Sequence, residues 1–371
     1  MRVLLISTSY PLDMSDWRGI FMRHLIFSLA RIPALKLRVW APPGDLPGQV
    51  SSVVSPVDRQ WLSQLMATGG ISHLVRAGGW RSWGAPIRLL RMIGASYRKN
   101  NDVDVYHINW LQCALPLPNN HKPALITVLG NDMKLLKLPF MRQLLRRVMK
   151  QRKVVICPNA EWMQAPLHAA FGDLAAIQPV SFGIDPSWFA VERSPHDVCP
   201  PYRWIVVSRL TADKLGSLFS WSKNFFGDGS RELHLFGPMQ EDIQVPSWIH
   251  YHGSATPEQL AKEWFAHACG LITLSRHAEG RPQVMLEAMA AGLPIIASNL
   301  QAHASILVDG ETGKLCGSVE EFGAALRTLE DDQANQRLGN AAKRWVVREI
   351  GTWDDCAERY MQIYRLLLGV T

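Results

Sequence analysis

The sequence predicts an α/β protein made of two Rossmann-like domains in tandem, facing each other across a deep cleft, and three observations carry that prediction. The chain has 371 residues, 47% hydrophobic and 19% charged, which suits two soluble globular cores. Short β-branched runs alternate with longer amphipathic segments, as in a mainly parallel sheet with helices on both faces. The alternation halts in a Pro-rich, aperiodic stretch, PSWFAVERSPHDVCPPY at 186–202, and then restarts.

Strands are predicted at 2–7, 37–41, 103–108, 124–129 and 153–157 in the first half, and at 203–208, 232–236, 249–252, 270–275 and 294–298 in the second. The domains are placed at 1–185 and 186–353. WDDCAERYMQIYRLLL has apolar positions at helical spacing, and a last helix over 354–371 is expected to pack against one domain, with a return to the first domain as one option, or across both. Open α/β sheets bind ligands beyond the carboxyl ends of their strands, so two facing sheets place a site between them. The informative residues are therefore those just after strands.

Several classes are excluded at the outset. No run of eighteen uncharged apolar residues exists, so no bilayer-spanning helix is expected. The opening MRVLLISTSYPL lacks a small-residue cleavage site and reads as a first strand. Cys113, Cys157, Cys199, Cys269, Cys316 and Cys356 are far apart, with no CxxC pair, which implies reduced, buried thiols in a cytoplasmic protein. Charge is divided between the halves: residues 1–180 hold 22 Lys+Arg against 9 Asp+Glu, and the remainder holds 17 against 23. A first half at +13 points to a polyanionic partner, an anionic membrane surface or nucleic acid. No recognition helix or aromatic RNA-binding signature accompanies the charge, so nucleic acid is set aside.

The densest signal is SRHAEGRPQVMLEAMAAGLPIIAS at 275–298. A strand leads through Glu279, Gly280 and Arg281 to Pro282, which suits the first position of a helix running to Ala291 and stopped by Gly292. The helix start, with unpaired N–H groups and the positive end of its dipole, is a phosphate site. Glu279 and Glu287 can reach different parts of one extended ligand, and a carboxylate accepts two hydrogen bonds from vicinal hydroxyls. Alone, two glutamates eight apart are a loop anion and a helix-surface residue. The whole string EGRPQVMLEAMAAGLP, however, resembles the donor-site signature of glycosyltransferase family 4, retaining enzymes of GT-B fold that use nucleotide sugars.

At the start of the second half, WIVVS runs into Arg209, Leu210, Thr211, Ala212, Asp213 and Lys214. Two cations after a strand can both meet a diphosphate, Arg by its planar fork and Lys as a point charge. The string resembles the family's G-R-L-x3-K-G motif, whose cations hold the donor diphosphate, except that Ser208 and Leu215 stand at the glycines. STSYPLDMSDWRGIFMRHLIFSLA at 7–30 resembles the family's glycine-bearing loop, with Gly19 near the donor phosphates; it is not a GxGxxG fingerprint, which argues against a nicotinamide dehydrogenase.

His107 and Asn109 end one strand and Asp132 follows the next, resembling the family's D-x-x-H-x-H and T-x-H-G-x-D stretches, with Asn109 and Leu129 in place of histidines. FGIDPSWF at 182–189 resembles its hinge, and Ser305 stands where the family has a glutamate. The resemblance implies Arg209, Lys214, Glu279 and His107 as catalytic. It places Gly19, Gly280, Arg281, Pro282, Gln283 and Glu287 on the donor, with Asn109 and Asp132 on the acceptor side. The co-substrate is a nucleotide-diphosphate sugar, UDP-sugar favoured, with no metal or other cofactor, since no Asp-x-Asp motif lies in a suitable place.

The acceptor side is read from PIRLLRMIGASYRKN (86–100) and PFMRQLLRRVMKQRK (139–153), apolar at helical spacing with Arg and Lys alongside, and from Trp61, Trp80 and Trp83. Basic amphipathic helices fit adsorption to an anionic bilayer. The expectation is a lipid-linked or oligosaccharide acceptor for a peripheral enzyme at the inner face of the cytoplasmic membrane, building cell-surface glycan. The plainer alternative for those helices is packing against the sheet. For the whole chain, it is a non-catalytic glycan- or nucleotide-binding relative.

Overall fold

The computed structural model describes residues 1–13, 16, 18–69, 84–193, 200–277 and 280–370. The chain divides into two compact units, Met1–Phe182 with Trp353–Thr371, and Gly183–Thr352. Trp80, Trp83, Cys199 and Glu279 lie outside the described residues.

The first unit holds an all-parallel sheet of β1 (Arg2–Ile6), β2 (Lys36–Trp40), β3 (Ser51–Ser52), β4 (Val105–Asn109), β5 (Ala124–Val128), β6 (Val154–Pro158) and β7 (Ala176–Ile177). Their order is β3-β2-β1-β4-β5-β6-β7, so the chain reverses direction of travel between β1 and β4. Both faces are buried, which is why these strands read as continuous apolar runs. On β1, Val3 and Leu5 enter one core and Leu4 and Ile6 the other. Helices Ile20–Ala30 and Trp353–Leu368 share the first of these cores.

The second unit repeats the plan with β8 (Tyr202–Val207), β9 (Arg231–Phe236), β10 (Ile249–Gly253), β11 (Gly270–Thr273), β12 (Ile295–Ser298) and β13 (Lys314–Cys316). All are parallel, in the order β10-β9-β8-β11-β12-β13. The ten strands read from the sequence are present, within about two residues at each end. The three that the sequence did not reveal, β3, β7 and β13, are two or three residues long and carry little apolar pattern.

The two basic segments differ. Helix Gly84–Lys99 buries Leu89, Met92, Ile93 and Tyr97 in the first unit's core, and Arg88 lies 4.7 Å over the Trp61 ring. Its apolar face therefore packs on the sheet, which is the plainer of the two readings. Helix Met141–Met149 buries only Leu145 and Met149, and leaves Leu144 50% and neighbouring Phe140 73% exposed. Among the described residues no helix is long and apolar enough to cross a membrane.

Candidate functional site

In the second unit the loops that leave β8, β9 and β11 are knitted together by backbone. Leu210 N–H donates to Pro238 O at 2.9 Å, and Arg276 N–H to Asp213 O at 2.8 Å. Two glycines allow the approach. Gly237 has φ +135°, and a Cβ there would lie 1.8 Å from Ser208 O; Gly216 has φ +57°, and its Cβ would lie 2.0 Å from Leu274 O. Only glycine fits either position. The family's glycine after Lys214 is thus displaced by one residue, to Gly216, while Leu215 is buried.

Within this frame Thr211 caps the short helix Ala212–Leu215 by accepting from Lys214 N–H at 3.3 Å, and Glu241 accepts from Ala212 N–H at 2.8 Å. Arg209 and Lys214 stay half-buried, and Arg209 Nη1 lies 3.4 Å from Gln240 Oε1, a long contact.

The loop after β11 leads to helix Gln283–Ala290, one residue shorter at each end than the sequence suggests. Pro282 is the extended residue before the helix (φ −74°, ψ 106°), and no side chain caps the helix start. Gly292, at φ +71°, ends the turn that follows. Gly280, Arg281 and Gln283 are half-buried, and Gln283 Nε2 donates to Gly183 O at 2.9 Å. Glu287, one turn on from Gln283, is half-buried; desolvation, with a smaller contribution from Asp185, pushes its carboxyl up to about 7. Asp185 itself caps helix Pro186–Phe189. Nothing in the local pattern signals that influence, since the segment around Asp185 reads only as a hinge. Ser305 is half-buried and donates to Ala302 O.

The first unit treats its strand-end polar residues differently. His107 is fully buried, with Nδ1 2.5 Å from Tyr364 Oη and Nε2 3.0 Å from Thr127 Oγ1. Burial pulls its pKa down to about 3, so the ring is neutral. The assignment of His107 as catalytic is corrected: it ties β4 and β5 to helix Trp353–Leu368. The cause is strand parity, since His107 shares a face with Val105, beneath that helix. Asn109 is buried and donates from Nδ2 to Ile6 O at 3.1 Å. Asp132 is buried, accepts from Leu111 and Leu129 N–H at 3.3 and 3.1 Å, and is pushed up to about 6 by desolvation. Asn109 thus ties β4 to β1, and Asp132 braces the turns after β4 and β5.

Gly19, at φ +74°, precedes helix Ile20–Ala30, and a Cβ on it would lie 2.9 Å from Tyr10 N. Sequence reasoning also passed over Trp110, half-buried just after β4 and held at φ +69°. Backbone strain of that kind has no signature in a sequence.

Two parallel sheets of Rossmann order, with cations and an uncapped helix start at the strand ends of the second, define the chain as GT-B in fold. Residues 218–332 match the family described as "Glycosyl transferases group 1". That match lies within the second unit and takes in the donor-loop string at 279–294 that resembles glycosyltransferase family 4. The chain is 33% identical over 101 residues to glycogen synthase of Mycobacterium tuberculosis, covering 26% of this chain and 24% of that protein. The chain thus matches about a quarter of the length of that curated relative. It is 24% identical over 412 residues to the GDP-mannose-dependent alpha-(1-6)-phosphatidylinositol monomannoside mannosyltransferase of the same species, covering 98% of each. Among solved structures, Anabaena Alr3699/HepE in complex with UDP and glucose superposes with a TM-score of 0.67 at 13% identity, over 98% of this chain and 99% of that one.

Proposed function

We propose that the chain is a retaining glycosyltransferase that moves a hexosyl or N-acetylhexosaminyl group from a nucleotide-diphosphate sugar, UDP-sugar favoured, to a lipid-linked saccharide of cell-surface glycan. The observation that carries this reading is the knitted pair of loops after β8 and β11, which present Arg209, Lys214 and the uncapped start of helix Gln283–Ala290 on one frame. Fixed cations and a helix dipole suit a diphosphate leaving group and leave a metal unnecessary. In the transfer, the bond from the anomeric carbon to the phosphate oxygen breaks, and the acceptor hydroxyl oxygen bonds to that carbon from the same face. The hydroxyl proton passes to the departing phosphate oxygen. Glu287, once ionised, accepts hydrogen bonds from vicinal hydroxyls of the donor. Gly280, Arg281 and Gln283 line the helix start, and the resemblance assigns Glu279 to the same ligand and Gly19 to its phosphates. Asn109, through its bond to β1, and Asp132, through the turns it braces, act on the acceptor side indirectly.

We infer further that the first unit adsorbs to an anionic membrane, in keeping with a peripheral enzyme of the inner face. Leu138 (49% exposed), Phe140 and Leu144 form an apolar tip, with exposed Lys134, Lys137, Arg147, Lys150 and Lys153 nearby in the chain. Two cations of the same stretch are excluded from this role. Arg146 pairs with Asp173, and Arg152 is buried with bonds to Pro118 O and Lys122 O.

A thermal-shift screen of UDP-, GDP- and ADP-sugars tests the donor reading, and release of labelled sugar to water from the matching donor tests activity without an identified acceptor. Stabilisation without turnover would favour a non-catalytic nucleotide-binding relative.

A further inference from the structure

Below the strand ends of the second unit, β9 and β10 gather three imidazoles. Alternation places Glu232, His234 and Phe236 on one face of β9, and His250 pairs in register with His234 on the edge strand β10. His234 Nε2 lies 3.2 Å from Glu232 Oε2, and His234 Nδ1 lies 3.0 Å from His252 Nε2. An ionised carboxylate only accepts, so the proton of neutral His234 sits on Nε2 and the Nδ1 lone pair faces His252. At pH 7.5, above the ordinary imidazole range, both rings are neutral. Trp264 lies 4.8 Å from the His234 ring and 4.9 Å from the His252 ring, and Phe236 stacks on His252 at 4.7 Å. His234 is 8% exposed, whereas His252 is exposed, so the pair has a buried foot and an open rim.

A carboxylate behind one imidazole nitrogen, a lone pair on the other and an apolar wall make up the usual outer shell of a histidine metal ligand. We propose that His234 Nδ1 and His252 Nε2 form a two-ligand site for a transition-metal ion of the Zn²⁺ or Ni²⁺ class, with Glu232 as positioning residue. In the metal-free protein the two nitrogens share the proton on His252 Nε2. On binding, that proton moves to His252 Nδ1, the tautomer changes without net proton loss, and both lone pairs go to the metal. Their 3.0 Å separation is near the ~3.3 Å between two nitrogens on one tetrahedral zinc. Among the described residues no three His, Cys, Asp or Glu side chains converge on one point, so water completes the coordination. The bound ion clamps edge strand β10 to β9, and the site is independent of the proposed sugar transfer.

Calorimetric titration of ZnCl₂ into metal-free full-length protein at pH 7.5, with the melting temperature followed in parallel, tests the proposal. One zinc per chain is expected, with affinity falling at least 10-fold in His252→Gln and His234→Gln, and about 10-fold to 100-fold in Glu232→Gln. His250→Gln should bind as the wild type does. Zinc should raise the melting temperature of the wild type and not that of His252→Gln. His252 is exposed, so that variant keeps the test valid even if His234→Gln fails to fold. Wild-type affinity in His252→Gln, or no zinc bound by the wild type, would overturn the assignment.

Discussion

The two units share a strand order and a fully parallel pairing, yet they use the polar residues near their strand ends in opposite ways. In the second unit Arg209 and Lys214 remain half-buried where the chain is held by backbone bonds and by two glycines, and Glu287 is half-buried in helix Gln283–Ala290. In the first unit His107, Asn109 and Asp132 are buried and bonded internally. A polar residue near a strand end is therefore a site signal only where nothing packs over its face. In the first unit, Tyr360 and Tyr364 of the last helix cover that face, and they arrive from more than two hundred residues along the chain.

If this contrast is right, substitutions in the second unit should cost turnover and those in the first should cost stability. The largest effect is expected at the cations. Arg209→Ala and Lys214→Ala should each lower kcat by roughly 100-fold to 1000-fold, because their charge acts most strongly on the leaving diphosphate. Their melting temperatures should stay within a few degrees of the wild type. Activity should persist in EDTA, and an absolute need for a divalent ion would sink the metal-free scheme.

His107→Ala should behave in the reverse sense. It leaves a cavity and strips the Tyr364 and Thr127 hydroxyls of a buried partner, a loss of roughly 2–4 kcal/mol. Donor affinity, measured below the lowered melting temperature, should be unchanged. A folded, stable His107→Ala protein without activity would restore the catalytic role.

Much of this contrast was legible in the sequence, and the remainder was hidden for physical reasons. Alternating apolar runs located β1, β2, β4 to β6 and β8 to β12, and the strings at 209–214 and 279–294 located the donor loops. Strand parity could have warned that His107 follows Val105 onto a covered face. The cover itself comes from tertiary packing, which no local pattern encodes. Likewise, the glycine missing after Lys214 is supplied at Gly216, since what the loop needs is a close approach to Leu274 O and not a residue at a fixed position.

Glu287 belongs to both sides of the comparison, which makes its pH dependence informative. An unfolded glutamate loses its proton near 4.5, and the folded one near 7. Between those values the folded chain holds more protons, so stability falls as pH rises from 4.5 to 7 and is level above. Glu287→Gln removes this penalty, on the order of 3 kcal/mol. It should raise the melting temperature at pH 8 relative to wild type and leave the difference small at pH 4.5. The same change should weaken donor binding by about 1.5–3 kcal/mol, and wild-type donor affinity should improve from pH 6 to pH 8. A variant that binds the donor as the wild type does would remove Glu287 from the site.

The smallest effects are expected at the membrane. Each exposed Lys or Arg adds roughly 1 kcal/mol near an anionic surface. Changing Arg147, Lys150 and Lys153 to Gln should reduce co-sedimentation with acidic vesicles. Changing Arg146 and Arg152 should act mainly on stability, because both are already engaged within the unit. High salt should release the wild type, as the Debye length falls to about 3 Å at 1 M. Equal binding to neutral vesicles would return helix Met141–Met149 to a packing role.

The central claim is that the donor site lies at the strand ends of the second unit, on the frame that holds Arg209 and Lys214. It is tested most directly by thermal shift of the wild type, Arg209→Ala and His107→Ala with UDP-, GDP- and ADP-sugars. One nucleotide should stabilise the wild type, by about 2.7 kcal/mol at 100 times its Kd. It should stabilise His107→Ala by the same increment from a lower starting point, and Arg209→Ala by much less. An equal increment in Arg209→Ala and the wild type, or none with any nucleotide sugar, would contradict the account.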